Sequence, residues 1–134
     1  MRHPERLEDY LDHLAEAVTR ATGYVQTLQG IEDLEKNQLV QDAIIRNIEI
    51  IGEAVSIINR TAPDFIRQHP EIPWARMRRM RNIVIHRYFA VDLNLLWTTV
   101  TNVLPPLKEQ IDQLLSQQRA PPPSDQQPEP DRSR

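Results

Sequence analysis

Apolar residues spaced alternately four and three positions apart are the feature of this sequence that most constrains its fold. Over residues 4–29 they fall at Leu7, Leu11, Leu14, Val18, Ala21, Val25 and Leu28. Because an α-helix turns once in about 3.6 residues, this spacing places all of them on one face. The pattern predicts an amphipathic helix, with Pro4 in its first turn and Gly30 as its stop.

A second apolar stripe predicts another long helix over residues 32–60. The stripe consists of Ile44, Ile48, Ile51, Val55 and Ile58, and it is widened by Ile45, Ile50 and Ile57. A face this wide indicates packing against more than one neighbour. Gly52 lies within the stripe and indicates a close approach of another helix.

Prolines divide the remainder of the chain. Residues 61–73 contain three prolines and predict a loop with one short turn. A third helix is expected from Pro73–Trp74 to about Arg87. Residues 119–134 hold five prolines and no large apolar residue, so they are expected to form a disordered tail.

A fourth helix is expected from Leu93 to about Gln117, with Asp92 as its N-cap. Pro105 lies inside it and cannot donate a hydrogen bond to the carbonyl of Thr101, so we expect a kink at that point.

These elements predict an all-α fold, an antiparallel four- to five-helix bundle of the up-and-down kind over residues 1–118. The apolar faces of the first two helices exceed what a thin bundle would bury, so a two-fold homodimer is expected.

The chain has no cysteine, which excludes disulfides and thiolate metal sites. The charged N-terminus lacks the apolar core of a signal peptide, and no apolar run of about 18 residues predicts a membrane span. A cytoplasmic location is therefore expected.

Charge is distributed unevenly. The net charge of −3 argues against a nucleic-acid binder, yet no acidic residue lies between Glu71 and Asp92. That segment contains five arginines: Arg76, Arg78, Arg79, Arg81 and Arg87. It is either a polyanion-binding patch or a solvated helix face, and charge alone does not decide between them.

His86 is the histidine that lies among arginines and aromatic residues. The sequence has no Gly-rich phosphate loop, no nucleophile elbow and no clustered metal ligands, so no metal or cofactor is expected. RNA carries its own nucleophile, the 2′-hydroxyl. A histidine can transfer the protons, and Arg81 can stabilise charge on the phosphorane. The alternative to a catalytic role is that His86 is a partly buried structural histidine at a helix end.

The spacing of Arg81 and His86 makes it difficult for one regular helix to bring both side chains to the same phosphate. Five residues apart on an ideal helix, they project about 140° apart and do not converge on one atom. Either the helix unwinds near His86, or the site combines residues from two copies of the chain. Tyr88 lies on the face of Arg81 and could orient a phosphate or a base.

The stretch "MRNIVIHRYF" (80–89) resembles the Arg-(x)4-His-x-Tyr motif of the HEPN superfamily. Three further blocks resemble its HepT-type branch: "DAIIRNIEIIGEA" (42–54), "EIPWARM" (71–77), and "VDLNLLW" (91–97) with "LPPLKEQI" (104–111). The resemblance covers roughly residues 4–115.

This resemblance implies a dimeric helical bundle whose Arg and His motifs meet in a cleft between two protomers. It implies a metal-independent endoribonuclease that leaves 2′,3′-cyclic phosphate ends. HepT-type proteins are toxins of type VII-like toxin–antitoxin pairs. The implied partner is an MntA-like nucleotidyltransferase antitoxin, which attaches adenylate to the motif tyrosine.

Carried onto this chain, Arg81 would stabilise the phosphate and His86 would act as general acid and base. Asn82 would be a polar support, and Tyr88 would accept the adenylate. The other arginines of the segment, Arg76, Arg78, Arg79 and Arg87, would bind RNA. Arg79 departs from the family, which often has a small residue there, and this puts the choice of substrate in doubt.

The second-helix block contributes Arg46, Asn47, Glu49 and Glu53, for which we favour a structural role. Glu49 or Glu53 could instead pair with an arginine of the motif helix, or face water. The main rival to the nuclease is a non-catalytic nucleotide- or RNA-binding partner subunit of a minimal nucleotidyltransferase. A purely structural helical dimer is the third reading.

Overall fold

The computed structural model describes residues 7–84 and 91–119, apart from the side chains at positions 81, 83, 84 and 119. The helices are α1 (Leu7–Gln26), α2 (Ile31–Glu35), α3 (Gln38–Thr61), α4 (Pro63–Gln68), α5 (Trp74–Val84), α6 (Leu93–Thr98) and α7 (Leu104–Arg119), with a π-helical segment at Thr99–Val103. No strand occurs within these ranges, which confirms the predicted all-α class. None of these helices is long and apolar enough to cross a membrane.

The long helices α1 and α3 run antiparallel and form the centre of the bundle. Tyr10, near the start of α1, lines a cavity with Ser56 of α3, whereas Arg20, further along α1, lines a cavity with Asn47. Helix α1 also packs on α7, and α3 packs on α5. The core between them consists of fully buried side chains, among them Leu11, Leu14, Val18, Ile44, Ile48, Ile51, Leu104 and Ile111.

The prediction of one helix over residues 32–60 is wrong, because α2 ends at Glu35 and α3 begins at Gln38. Asn37 caps α3, and its Oδ1 accepts a hydrogen bond from the backbone N–H of Val40 at 3.0 Å. The buried Gln41 side chain donates to the carbonyl of Leu34 at 2.9 Å. Side-chain hydrogen bonds at the junction thus satisfy backbone groups that a continuous helix would have paired itself.

The predicted loop at residues 61–73 contains the short helix α4. The end of this loop is hydrogen-bonded to α5 and α7. The Trp74 indole Nε1 donates to the carbonyl of His69 at 2.9 Å, and the rings of Phe65 and His69 lie 4.5 Å apart. The Gln110 amide of α7 donates to the carbonyl of Glu71 at 2.9 Å. These contacts position the first turn of α5.

The fourth predicted helix begins where expected but is not regular. Asp92 caps it, and its Oδ1 accepts from the backbone N–H of Leu95 at 3.1 Å. The expected disturbance before Pro105 takes the form of the π-helical segment, in which the Thr101 hydroxyl donates to the carbonyl of Trp97 at 2.7 Å. Proline cannot complete the α-helical hydrogen-bond ladder, and a wider turn accommodates the gap.

The apolar stripes of α1 and α3 are largely buried inside the protomer. In the described part of the chain, the large apolar side chains that stand exposed are Leu39 and Leu95. The sequence argument for self-association from surplus apolar surface is therefore not supported here. A homodimer remains a prediction that rests on the family resemblance.

Candidate functional site

A close approach of α3 and α5 at Gly52 builds the site. A Cβ atom added to Gly52 would lie 3.4 Å from the backbone oxygen of Arg78 and 4.0 Å from that of Met77. A larger side chain would meet the α5 backbone directly. The close helix approach predicted from Gly52 is confirmed.

A groove of about 860 Å³ opens beside this contact, bounded by α1, α3 and α5. We call it the α1–α3–α5 groove. Its lining consists of Tyr10 and His13 of α1, Arg46, Glu49, Ile50, Gly52, Glu53, Ala54, Ser56 and Ile57 of α3, and Arg78 and Asn82 of α5. A volume in the range of about 300–1,000 Å³ is typical of small-molecule sites.

Charged groups of both signs line this groove. Arg46, Glu53 and Arg78 are exposed, and Glu49 is half-buried. Within residues 7–84 and 91–119, no hydrogen bond or ion pair engages the side chains of Arg46, Glu53 or Arg78. Opposite charges that share a groove without pairing are available to a ligand that offers both acceptors and donors.

The groove reaches Asn82, the residue that follows the motif arginine in the sequence. Asn82 is exposed and lines it, and the backbone of Arg81, the preceding residue, belongs to α5. The side chain of Arg81 and the whole of His86, Arg87 and Tyr88 lie outside the described residues. The roles assigned to these residues from sequence remain predictions.

Three of the arginines predicted to bind RNA, Arg76, Arg78 and Arg79, lie in the described part of α5. Arg78 lines the α1–α3–α5 groove, whereas Arg76 lines a second cavity of about 390 Å³ with Met80 and Gln110. Arg79 is exposed and lines neither cavity. Arg76 and Arg78 therefore face different cavities, because two helical positions are rotated by about 200° in total, whereas Arg79 follows Arg76 by three positions and lies near its side of the helix.

The second-helix block divides into buried and groove-facing members. Asn47 is 4% exposed, and its Nδ2 donates to the carbonyl of Ala43 at 2.8 Å. Its Oδ1 is buried and has no hydrogen-bond partner in the described part of the chain. Arg46, Glu49 and Glu53 line the groove instead.

Sequence reasoning overlooked the contribution of α1 to the groove. His13 is exposed and stands at the groove with Tyr10. The two rings are 5.9 Å apart. Their spacing of three residues, beside the apolar stripe, is the signal that could have revealed a shared face.

No group of three or more His, Asp or Glu side chains in the described ranges is arranged to hold a metal ion. The groove contains guanidinium, carboxamide and aromatic groups, which are among the kinds of group that contact phosphates and bases in protein–RNA complexes.

Comparison with known proteins gives a consistent result. The family described as "Ribonuclease HepT-like" matches residues 14–114. A protein of Thermococcus cleftensis named "Probable ribonuclease HepT" is 43% identical over 107 residues, which cover 80% of this chain and 94% of that relative.

Two further relatives extend the comparison. "Putative RNase TTE0752" of Caldanaerobacter subterraneus is 30% identical over 112 residues, covering 82% of this chain and 95% of its own. "Gamma-glutamylcyclotransferase and putative RNase MJ0434" of Methanocaldococcus jannaschii is 37% identical over 108 residues, covering 81% of this chain but 47% of its own. No solved structure gives a significant match.

Proposed function

Because the chain belongs to the ribonuclease HepT-like family, we propose that it is a metal-independent endoribonuclease. The observation that carries the proposal is the complete motif of Arg81, His86 and Tyr88, which lies inside the matched residues 14–114. A non-catalytic binding module has no need of the histidine at this spacing. The α1–α3–α5 groove supplies cationic groups, Arg46 and Arg78, suited to an RNA strand.

The proposed reaction is cleavage by the RNA's own 2′-hydroxyl. The His86 imidazole removes the 2′-hydroxyl proton, the 2′-oxygen bonds to phosphorus, and the bond from phosphorus to the 5′-oxygen breaks. A protonated imidazole supplies the proton that the leaving 5′-oxygen takes up. The Arg81 guanidinium stabilises the additional negative charge on the phosphorane oxygens. The products are a 2′,3′-cyclic phosphate and a 5′-hydroxyl.

We propose that two copies of the chain combine to form the site. On a regular helix Arg81 and His86 diverge by about 140°, so one copy does not bring both to the same phosphate. A two-fold axis through the motif would place the arginine of one protomer near the histidine of its partner. Light scattering should therefore give a dimer at micromolar concentration, and a monomer would contradict the composite site.

The proposal includes control by a nucleotidyltransferase antitoxin of the MntA-like kind. Adenylate on the Tyr88 hydroxyl would add a phosphate and a base beside Arg81 and His86, and would thereby block the entry of RNA. Incubation with the cognate nucleotidyltransferase and ATP should add adenylate to the wild type but not to Tyr88→Phe, as read by mass spectrometry. Equal modification of both would assign the acceptor elsewhere.

The decisive experiment compares the wild type with His86→Ala for RNA cleavage in excess EDTA. Mass spectrometry must first establish that Tyr88 carries no adenylate. Cleavage by the wild type alone, with cyclic phosphate ends, is the expected result. His86→Ala should keep its helical circular dichroism and most of its RNA affinity, whereas Arg81→Ala should lose activity and part of its affinity. Failure of the unmodified wild type to cleave a broad RNA panel would favour the RNA- or nucleotide-binding subunit.

A further inference from the structure

The α1–α3–α5 groove combines three kinds of group that recognise a single nucleotide. Tyr10 and His13 offer aromatic rings on the α1 wall, Arg46 and Arg78 offer guanidinium groups, and Glu53 offers a carboxylate. Unstacked RNA bases are commonly held by aromatic stacking and by hydrogen bonds to their edges. Guanidinium groups bind the phosphates on either side.

Glu53 is the informative member of this set, since the other carboxylate that lines the groove, Glu49, is half-buried and already engaged in an interaction. A groove that only tracked the phosphate backbone would be weakened by Glu53, which repels phosphate. Glu53 is exposed, lines the groove, and has no hydrogen-bond or ion-pair partner in the part of the chain that the structure describes. Two cations line the same groove, yet neither pairs with it. An acceptor placed in this way suits a ligand group that donates hydrogen bonds.

The four RNA bases differ in what they present to a carboxylate. An ionised carboxylate only accepts hydrogen bonds, through two adjacent oxygens. Guanine offers two adjacent donors, N1–H and N2–H, on its Watson–Crick edge. Adenine and cytosine each offer one amino donor beside an acceptor nitrogen, and uracil offers one N–H between two carbonyl oxygens. Guanine is therefore the base that matches both carboxylate oxygens without repulsion.

We propose that the α1–α3–α5 groove is a guanine-selective subsite, in which Glu53 accepts hydrogen bonds from the base and Arg78 contacts its phosphate. Placement on the nucleotide beside the cleaved bond rests on the proposed ribonuclease function. The positions support that placement, since Arg78 and Asn82 line the groove and Arg81 lies between them in α5. A strand held by Arg81 at the cleaved phosphate would lead a neighbouring nucleotide into the groove.

A binding experiment tests the subsite without requiring cleavage. The wild-type protein is titrated with GMP, IMP and AMP and followed by NMR chemical shifts. IMP keeps the N1–H of GMP but lacks the N2 amino group, so it should bind more weakly than GMP, and AMP should bind about tenfold more weakly than GMP. Glu53→Gln should lose the preference for GMP over AMP.

Glu109→Gln serves as the matched control for this titration. Glu109 is an exposed carboxylate on α7 outside the groove, so the same change there should leave the preference intact. Equal affinity for GMP and AMP, no saturable binding of GMP at millimolar concentration, or a preference retained in Glu53→Gln would each overturn the proposal.

Mapping of cleavage ends separates the failure of this proposal from the failure of the ribonuclease. On a randomised RNA library, the wild type should show guanine enriched at one position beside the cut, and Glu53→Gln should cut with that enrichment flattened. Cleavage by the wild type with no base preference would refute the guanine-selective subsite but would still support the proposed ribonuclease function. Glu53-dependent binding of GMP by a protein that does not cleave would refute the ribonuclease and retain the subsite.

Discussion

Gly52 offers a direct test of how closely α3 and α5 approach, because two opposing effects can be compared there. Alanine in the interior of a helix is more favourable than glycine by about 0.5–1 kcal/mol, chiefly through the entropy of the unfolded chain. The added Cβ would lie 3.4 Å from the Arg78 backbone oxygen, which is van der Waals contact rather than overlap. The helix preference should therefore prevail, and Gly52→Ala should raise the free energy of unfolding by about 0.5–1 kcal/mol.

A leucine at the same position should have the opposite effect. A Cβ at this position already contacts the Arg78 backbone oxygen at 3.4 Å, so the branched Cγ of leucine is crowded by the α5 backbone. Overpacking of this kind costs about 1–3 kcal/mol, more than the gain in helix preference. Gly52→Leu should therefore be less stable than the wild type, and it should displace α5 from the groove.

Gly23→Ala is the matched control for these variants. Gly23 is exposed on α1, and a Cβ added to it meets nothing within 4 Å, so that substitution reports helix preference alone. Urea unfolding of each variant at one protomer concentration gives the free energies. A Gly52→Ala protein less stable than the wild type, with Gly23→Ala stabilised, would mean that α5 lies closer to α3. A Gly52→Leu protein as stable as the wild type would contradict the expected overpacking against α5.

Three further predictions follow from single contacts. Asn37→Ala removes the acceptor for the Val40 N–H and should lower stability by about 1 kcal/mol in urea unfolding, with Asn37→Asp largely retaining it. Trp74→Phe removes the Nε1 donor to the His69 carbonyl and should cost about 1–3 kcal/mol, so an unchanged unfolding midpoint would contradict that anchor. Arg78→Ala should weaken binding of single-stranded RNA and reduce the slope of log K against log salt by about 0.7, whereas an unchanged slope would exclude a phosphate contact.

Local signals in the sequence account for most of the secondary structure. The four-and-three spacing of apolar residues defined α1, and the side chain of Asp92 capped α6 as expected. Asn37 is also a local signal, but it precedes the apolar stripe of Ile44 to Ile58, so the spacing of that stripe did not reveal the break between α2 and α3. Pro105 predicted an interruption of the helix because it lacks an N–H, and the structure has a π-helical segment there rather than a simple kink. Family membership likewise followed from short motifs, since their residue order is itself local information.

The tertiary structure decided which side chains share a surface. Composition and charge grouped the arginines of residues 72–91 into one basic segment, but helical rotation and the packing of α5 send Arg76 and Arg78 into different cavities. The meeting of Tyr10, Glu53 and Asn82 was equally invisible in the sequence, because they lie on three separate helices. Periodicity assigns a residue to a face of its own helix, whereas a groove depends on how three such faces pack together.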